Sequence, residues 1–481
     1  MELHVSLVGR KDITGEIYRQ IRGAVVAGRL RPGDPLPPSR ELARRLSVSR
    51  TTVMMAYDRL NGEGFVTSRV GAGTFVGEHV PGNPGTSTRA ASVLQPRDIW
   101  KAIPLPTAFA AKAAAFDFRT GLPDTTLFPY ETLRPLLARE LRASAGGCGV
   151  YGDPAGDHGL RDAIARHIAT SRGVAATADD VIITNGTQQA LDLVARVLLA
   201  PGDRVAVEDP GYSPPRHLFE SLGLRVSGIA VDRQGLAVDA LPRTTRLVYV
   251  TPSHQYPLGP SMSLARRTAL LAWAERNDAA IVEDDYDSEF RFSERPIEPL
   301  QTLDTSGRVI YVGSFSKTLL PTLRLGFVVV PPTLREAVQA AKFVTDWHTP
   351  LPTQRALARF IVQGSYVRHL RRMRNIYRAR HARIMNALAG DLGEHLTAIP
   401  SVAGLHIAAE ATNASPARID AVAEQAMAAG VAVHTLAWFC FDQPARSGLL
   451  LGYGAISEPD IDEGLHRLRR CFDARNLHSY G

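Results

Sequence analysis

The chain has 481 residues, 45% of them hydrophobic and 21% charged. That length exceeds what a single core usually supports, and the composition excludes whole-chain disorder, so at least two folded domains are expected. The formal net charge is +7, and residues 1–77 hold 12 Lys and Arg against 7 Asp and Glu. The excess is therefore gathered at the N-terminal end, as in a fused nucleic-acid-binding module. Cys148, Cys440 and Cys471 are far apart and lack any CxxC or Cys/His spacing, which argues against a disulfide framework or a zinc site. No apolar run reaches the roughly 18 residues of a membrane span, and MELHVSLVGRKD lacks the core of a signal peptide. A soluble, cytoplasmic protein with no membrane partner is the expectation.

In chain order, the first elements are three helices, over Ile13–Ala27, Ser39–Leu46 and Thr51–Glu63. Gly28 and RPGDPLPP end the first, and SVS turns between the second and third. That is helix-turn-helix spacing. In the third helix Val53, Ala56, Tyr57 and Leu60 fall at i, i+3, i+4 and i+7, one buried stripe. Ser49 is placed to cap it, leaving Arg50, Thr51 and Thr52 on the first turn, which in such motifs enters the major groove of DNA. Arg40, opening the preceding helix, is placed for a backbone phosphate. FVTSRVGAGTFV then reads as a two-stranded ribbon closed by Gly71 and Gly73, a candidate wing.

Residues 78–115 accumulate Pro, Gly, Ser, Thr and Ala without periodicity and read as a linker. From 116 to 481, helical patterns alternate with short apolar runs (DVIITN, DRVAVE, RLVYVT, AAIVED, RVIYVG, LGFVVV), the signature of a mostly parallel, doubly covered α/β sheet, and the last hundred or so residues read as α+β. The helix RHLRRMRNIYRARHAR at 368–383 carries seven arginines and two histidines. It reads as a solvated basic face over a buried stripe of Leu370, Met373, Tyr377 and Ile384, with an auxiliary phosphate-contacting surface as the alternative.

The chemistry-bearing segments lie in this second part. VIYVGSFSKTLLPTLRLGFVVV presents Ser314, Ser316 and Lys317 from a loop between apolar strands, with Arg324 seven residues on. Hydroxyls beside an arginine suit an anchored phosphate, and a lysine kept deprotonated forms a Schiff base with pyridoxal phosphate. NGTQQALDLVARVLL places Gly186, Thr187 and Gln188 at a helix N-terminus, where free N–H groups favour phosphate. EDDYDSEF offers Asp284 for a protonated pyridine nitrogen and Tyr286 for a phenolate oxygen, with a divalent-metal site as the rival use of the acidic cluster; that cluster has no accompanying histidines in sequence, so no metal is assigned. EDPGYSPP places Tyr212 to stack on a flat ring.

LPPSRELARRLSVSRTTVMMAYDRLNGEGFVTSRVGAGTFV resembles the winged helix of GntR-type bacterial regulators. YGDPAG, NGTQQA, EDPGY, PSHQYPLG, EDDYDSEF and SFSKTLLPTLRLG, in that order, resemble fold-type I aminotransferases. The combination resembles the MocR/GabR family. The resemblance implies Arg40, Ser49, Arg50, Thr51, Thr52 and Gly71 as DNA contacts, Lys317 as the Schiff-base lysine, and Asp284, Tyr286 and Tyr212 at the pyridoxal phosphate ring. It implies Gly186, Thr187, Gln188, Ser314, Ser316 and Arg324 at the phosphate, with Tyr151 reaching the phosphate of a neighbouring subunit in a head-to-tail homodimer.

Two departures stand out: Tyr256 replaces the cofactor-contacting asparagine of related aminotransferases, and Leu450 takes the place of the arginine that grips a substrate's α-carboxylate. Arg446 and His254 are the candidates for holding an effector instead. The reading is a regulator that binds an operator in duplex DNA and senses a small amine, an amino acid or the cofactor itself. An active aminotransferase with an accessory DNA-binding module is the alternative.

Overall fold

The computed structural model describes residue 5 and residues 12–69, 73–77, 94–105, 114–142, 149–292, 298–401 and 403–473. Two compact units divide the chain, Met1–Pro96 and Arg97–Gly481.

The smaller unit holds α1 (Ile13–Val26), α2 (Ser39–Leu46), α3 (Arg50–Gly62) and the antiparallel ribbon β1 (Val66–Arg69) and β2 (Gly73–Val76). Each helix starts or stops where side-chain chemistry dictates. Asp12 accepts from the Gly15 N–H at 3.1 Å to cap α1, Ser47 takes the left-handed conformation that ends α2, and Ser49 accepts from the Thr52 N–H at 3.1 Å to cap α3. The expected stripe is the one buried: Val53, Ala56, Tyr57 and Leu60 pack in one cluster with Ile17, Ile21 and Leu42. Tyr57 also donates to the Pro37 carbonyl at 2.8 Å, which fixes the chain between α1 and α2 against α3. Gly71 and Val70 lie outside the described residues.

Part of the stretch read as linker is ordered differently: Asp98–Ala102 forms a short helix, α4, and Arg97 donates to the Ser221 carbonyl at 3.5 Å. Both belong to the larger unit.

The larger unit runs β3 (Phe116–Asp117), α5 (Tyr130–Glu140), α6 (His158–Arg172), β4 (Val181–Thr184), α7 (Thr187–Leu198), β5 (Arg204–Asp209), α8 (Ser213–Ser221), β6 (Arg225–Asp232), β7 (Gly235–Leu236), β8 (Thr245–Val250), α9 (Leu264–Arg276), β9 (Ala280–Asp285), α10 (Leu300–Leu303), β10 (Val309–Ser314) and β11 (Gly326–Val329). Helices α11 (Arg335–Asp346), α12 (Leu351–Val362) and α13 (Ser365–Ala389) follow. Last come β12 (Leu396–Ala398), β13 (His406–Ala411), α14 (Pro416–Ala428), β14 (Val431–Ala432), β15 (His434–Thr435), β16 (Gly448–Gly452) and α15 (Glu458–Asp473).

Eight strands form the main sheet in the order β4-β11-β10-β9-β8-β5-β6-β7. The core from β10 to β6 is parallel, whereas β11 is antiparallel to both neighbours and β7 to β6. Strand alternation covers both faces: Val205 and Val207 of β5 join Ala190, Leu191 and Val194 of α7 in one cluster, while Ala206 between them joins Leu270 and Trp273 of α9 in another. The C-terminal part is α+β, a four-stranded antiparallel sheet β12-β13-β16-β15 with α13, α14 and α15. Leu370, Met373, Tyr377 and Ile384 are the buried stripe of α13. β3 pairs in parallel with β14, and that long-range tie holds the segment after it, Thr120–Leu122, at the ends of the main sheet's strands.

Candidate cofactor site and DNA-reading helix

Ligands in open α/β sheets bind beyond the carboxyl ends of the strands, and a cavity of about 320 Å³ opens there. Its wall combines the loop after β10 (Ser314, Ser316, Lys317), Arg324 before β11, Thr187 and Gln188 at the start of α7, and Tyr212 after β5. Tyr249, Asp284, Tyr286, Asp287, Tyr256, Thr120, Gly121 and His406 complete it. Nine residues predicted from sequence thus converge: Lys317, Asp284, Tyr286, Tyr212, Thr187, Gln188, Ser314, Ser316 and Arg324. Gly186 backs them from behind as the N-cap of α7.

The Lys317 amine donates to the Gly121 carbonyl at 2.7 Å. Burial pulls it below the usual lysine range, against the opposing charges of Asp287 and Asp284. Asp284 is 3% exposed. Tyr249 donates to its Oδ2 at 2.8 Å, while Oδ1 is buried with no hydrogen-bond partner. Desolvation pushes this carboxyl up to about 7. Tyr212 is 40% exposed, yet burial raises its phenol to about 12; the surface it exposes is the cavity wall itself. Its ring meets Tyr256 edge-on at 5.6 Å, and Tyr256 shares a 2.8 Å hydrogen bond with Thr120.

The opposite end of the cavity is built for an anion. Gly186 adopts φ +85°, which favours glycine, and a Cβ there would lie 2.9 Å from Nη2 of Arg324, so the glycine leaves the guanidinium room beside the first turn of α7. Arg324 donates to the Asn185 carbonyl at 2.7 Å, and Ser314 Oγ accepts from the Ser316 N–H at 3.1 Å. These residues fit a pyridoxal phosphate on an observation independent of any resemblance: the orphaned Asp284 Oδ1 lacks the N–H that a protonated pyridine carries.

Three sequence-predicted residues, Tyr151, Arg446 and His254, and the departure at Leu450 lie off the cavity wall. Tyr151 is 75% exposed and stacks on Trp347 at 4.4 Å instead of lining the cavity of its own chain. Arg446 donates to the Val231 carbonyl at 2.8 Å and pairs with Glu410 at 3.4 Å, away from the cavity wall. Leu450, which stands where a carboxylate-binding arginine was expected, is fully buried in an apolar cluster with Val231, Leu258, Ala408, Leu436 and Phe439. His254 is buried behind Tyr286, its Nδ1 within 2.9 Å of both the Tyr286 hydroxyl and Asp287 Oδ2.

Sequence reasoning missed Tyr249, Thr120, Gly121, Asp287 and His406 as cavity residues. Asp287 lay in the quoted EDDYDSEF segment and Tyr249 in an apolar strand, which gave a weak signal; Thr120, Gly121 and His406 gave none. It also missed that the fold supplies the acidic cluster with histidines. Donor atoms of His254, Asp287 and His406 lie within 4.8 Å of one another, residue types that can ligate a metal. Two of those nitrogens are already engaged, Nδ1 of His254 by Asp287 and Nε2 of His406 by the Pro257 carbonyl at 2.9 Å.

In the smaller unit, Arg40, Arg50 and Thr51 are exposed, and Ser49 caps α3 while its hydroxyl also contacts that of Thr52 at 2.7 Å. Arg50 Nε reaches Ser39 Oγ at 3.5 Å, joining the starts of α2 and α3. Among the described residues neither Arg40 nor Arg50 forms an ion pair, whereas Arg45 pairs with Glu41 on the same helix as Arg40. No described helix is long and apolar enough to cross a membrane.

Comparison with known proteins agrees with both units. Residues 13–76 match the family "Bacterial regulatory proteins, gntR family", and residues 123–463 match "Aminotransferase class I and II". The chain is 38% identical over 471 residues to the probable rhizopine catabolism regulatory protein MocR of Rhizobium meliloti, covering 95% of this chain and 93% of that one. It is 32% identical to the pyridoxine biosynthesis transcriptional regulator PdxR of Corynebacterium glutamicum, covering 94% of each. Among solved structures, the α-aminoadipate aminotransferase LysN of Thermus thermophilus, complexed with N-(5'-phosphopyridoxyl)-L-leucine, superposes with a TM-score of 0.71 at 29% identity over 79% of this chain and 97% of that one. The chain belongs to the MocR/GabR family of transcription regulators, in which a GntR-type DNA-binding domain is joined to an aminotransferase class I and II domain.

Proposed function

We propose that the larger unit binds pyridoxal phosphate at Lys317 and senses an amine or amino-acid effector, or the cofactor itself, to control how the smaller unit engages operator DNA. The observation that carries this reading is the convergence of Lys317, Asp284, Tyr286, Tyr212 and Arg324 on one cavity in a chain that also presents Arg50 and Thr51 at an exposed helix start.

When bound, the cofactor supplies an aldehyde that exchanges between amines and a ring that withdraws electrons. The chain's residues do the rest. Lys317 offers an amine whose neutral form burial favours. Asp284 would offer its unpartnered Oδ1 to a ring N–H, Tyr286 and Tyr212 would face the ring, and Thr187, Gln188, Ser314, Ser316 and Arg324 would hold the phosphate.

The exposed Tyr151, off its own cavity, supports a head-to-tail homodimer in which it completes a neighbour's phosphate site. Arg40, Ser49, Arg50, Thr51, Thr52 and Gly71 are the proposed DNA-contacting set, and the GntR-type match supports a site of action on the bacterial chromosome in the cytoplasm. For regulation, the ligand must bind the DNA-competent and incompetent arrangements with different free energies.

Apart from Lys317 and Arg324, no lysine or arginine lines the cavity among the described residues, which favours sensing over efficient transamination because a substrate α-carboxylate lacks a second clamp. The test is visible absorption of the full-length protein during titration with amines and amino acids, followed by operator affinity. A cofactor band absent from Lys317→Ala, and a ligand that alters both band and affinity in wild type alone, are expected. An unchanged effector response in Lys317→Ala would sink the sensor reading, and steady keto-acid release would make the protein an enzyme.

A further inference from the structure

His254 and Asp287 are both 1% exposed. Both oxygens of Asp287 lie on one nitrogen of His254, at 2.9 and 3.1 Å from Nδ1, and the Tyr286 hydroxyl lies 2.9 Å from the same nitrogen. Gly404, at φ +89°, closes over the pair so tightly that a Cβ there would overlap the imidazole ring and come within 2.7 Å of Asp287. The contact is therefore dry.

One nitrogen facing two carboxylate oxygens must carry hydrogen. A bare Nδ1 would set its lone pair against the carboxylate, a repulsive contact made worse by burial. This holds for the neutral ring, whose hydrogen then sits on Nδ1, and for the doubly protonated ring alike. An Nδ1 that already carries hydrogen cannot accept one from Tyr286. The phenol cannot donate there, and its own hydrogen has to point elsewhere. Tyr286 lines the cavity beside Asp284 and Lys317, and its hydroxyl has no other hydrogen-bond partner among the described residues.

We propose that Asp287, acting through His254, is a tautomer lock that forces Tyr286 to donate its hydrogen into the cavity. Neither residue touches the ligand through this lock; both are positioning residues. The consequence rests on the cofactor reading, because a donor aimed into the cavity selects a ligand with an acceptor such as the 3-oxygen of pyridoxal phosphate.

Two measurements on the full-length protein separate the lock from that reading. The first is the ¹⁵N spectrum of histidine-labelled protein, in which His254 should carry hydrogen on Nδ1 and Asp287→Asn should loosen that preference. A bare or metal-bound Nδ1 in wild type overturns the lock. The second is the ratio of affinities for pyridoxal phosphate and its 3-deoxy analogue, which lacks the acceptor. Wild type should favour the natural compound by about tenfold, the worth of one good hydrogen bond. Tyr286→Phe, His254→Phe and Asp287→Asn should each bring the ratio near one. His254→Asn, whose amide N–H can take the place of Nδ1–H, should restore most of it. If Asp287→Asn weakens both compounds equally and leaves the ratio intact, the pair is merely structural and the proposal is wrong. If wild type binds neither compound, the cofactor reading falls, and the spectrum alone decides the lock.

Discussion

Tyr249 satisfies one oxygen of Asp284, at 2.8 Å, and leaves the other buried and unpartnered. Asp284 is one of four buried carboxyls, with Glu208, Glu283 and Glu289, that desolvation pushes up to about 7. In the folded state each holds its proton to higher pH than in the unfolded chain, so folding is favoured most below the ordinary carboxylate range. Their contribution to stability then falls as pH climbs toward about 7 and is flat above it. Buried His369 and His406 and half-buried His167, His381 and His434, held below the usual histidine range by desolvation, contribute with the opposite sign, so the Asp284 part is read as a difference between wild type and Asp284→Asn. In cofactor-free protein that difference should shift by about 2 to 3 kcal/mol between pH 5 and pH 8, against wild type as pH rises. Melting curves of both proteins at the two pH values check this, and a difference that does not change with pH would remove Asp284 from the account.

Gly186 is the second point of leverage. Alanine there must adopt φ +85° with its methyl 2.9 Å from the Arg324 guanidinium. The backbone term alone is about 1 to 3 kcal/mol, and the displaced guanidinium would no longer reach the first turn of α7. Gly186→Ala should weaken pyridoxal phosphate binding by at least about tenfold, whereas loss of a single phosphate-facing hydroxyl in Ser316→Ala should be milder. Equilibrium titration of cofactor-free protein measures both, and equal retention by Gly186→Ala would contradict the cradle.

How much of this was legible in sequence depends on how local the signal was. The α3 stripe and the apolar strands were readable because a buried face leaves its period in a dozen consecutive residues. The direction of β11 was not: GFVV is buried like its neighbours, and nothing in it distinguishes an antiparallel strand. Lys317, Asp284 and Arg324 each sit in a motif beside a strand end. Thr120 reaches the cavity because β3 pairs with β14, which brings Thr120 beside His434, 314 residues away, and His406 comes from β13 of the C-terminal sheet, tied to the Pro257 carbonyl 149 residues away. The motif at Leu450 marks a strand but not which face each residue takes: alternation along β16 sends Leu449 and Leu451 to one core and Leu450 to another.

Capping and DNA contact in α3 should separate cleanly. Ser49→Ala removes the acceptor for the Thr52 N–H and should lower the stability of the smaller unit by about 1 kcal/mol. Arg50→Ala deletes an exposed guanidinium whose bond to Ser39 is long and solvent-facing, and should leave stability within about 0.5 kcal/mol while weakening operator binding. Thermal melts read the first effect. Affinity over a salt series reads the second: loss of a phosphate contact lowers the salt slope by about one, whereas loss of a base contact leaves the slope and relaxes sequence preference.

Restoring an arginine at Leu450 should not create an aminotransferase. Leu450 pairs with Ala408 and His434 in the middle of an antiparallel sheet, has no exposed surface, and packs among Val231, Leu436 and Phe439. Leu450→Arg would set a guanidinium among those apolar side chains in place of a fully buried leucine. A loss of several kcal/mol is expected, seen as a lower melting temperature or insoluble protein with no gain in keto-acid production. Arg446→Ala is the matched control. That side chain is spent on the Val231 carbonyl and Glu410, so its removal should leave the affinity of any effector unchanged within about twofold. A larger loss would mean that the effector reaches beyond the cavity wall to Arg446, and would return that residue to the binding site.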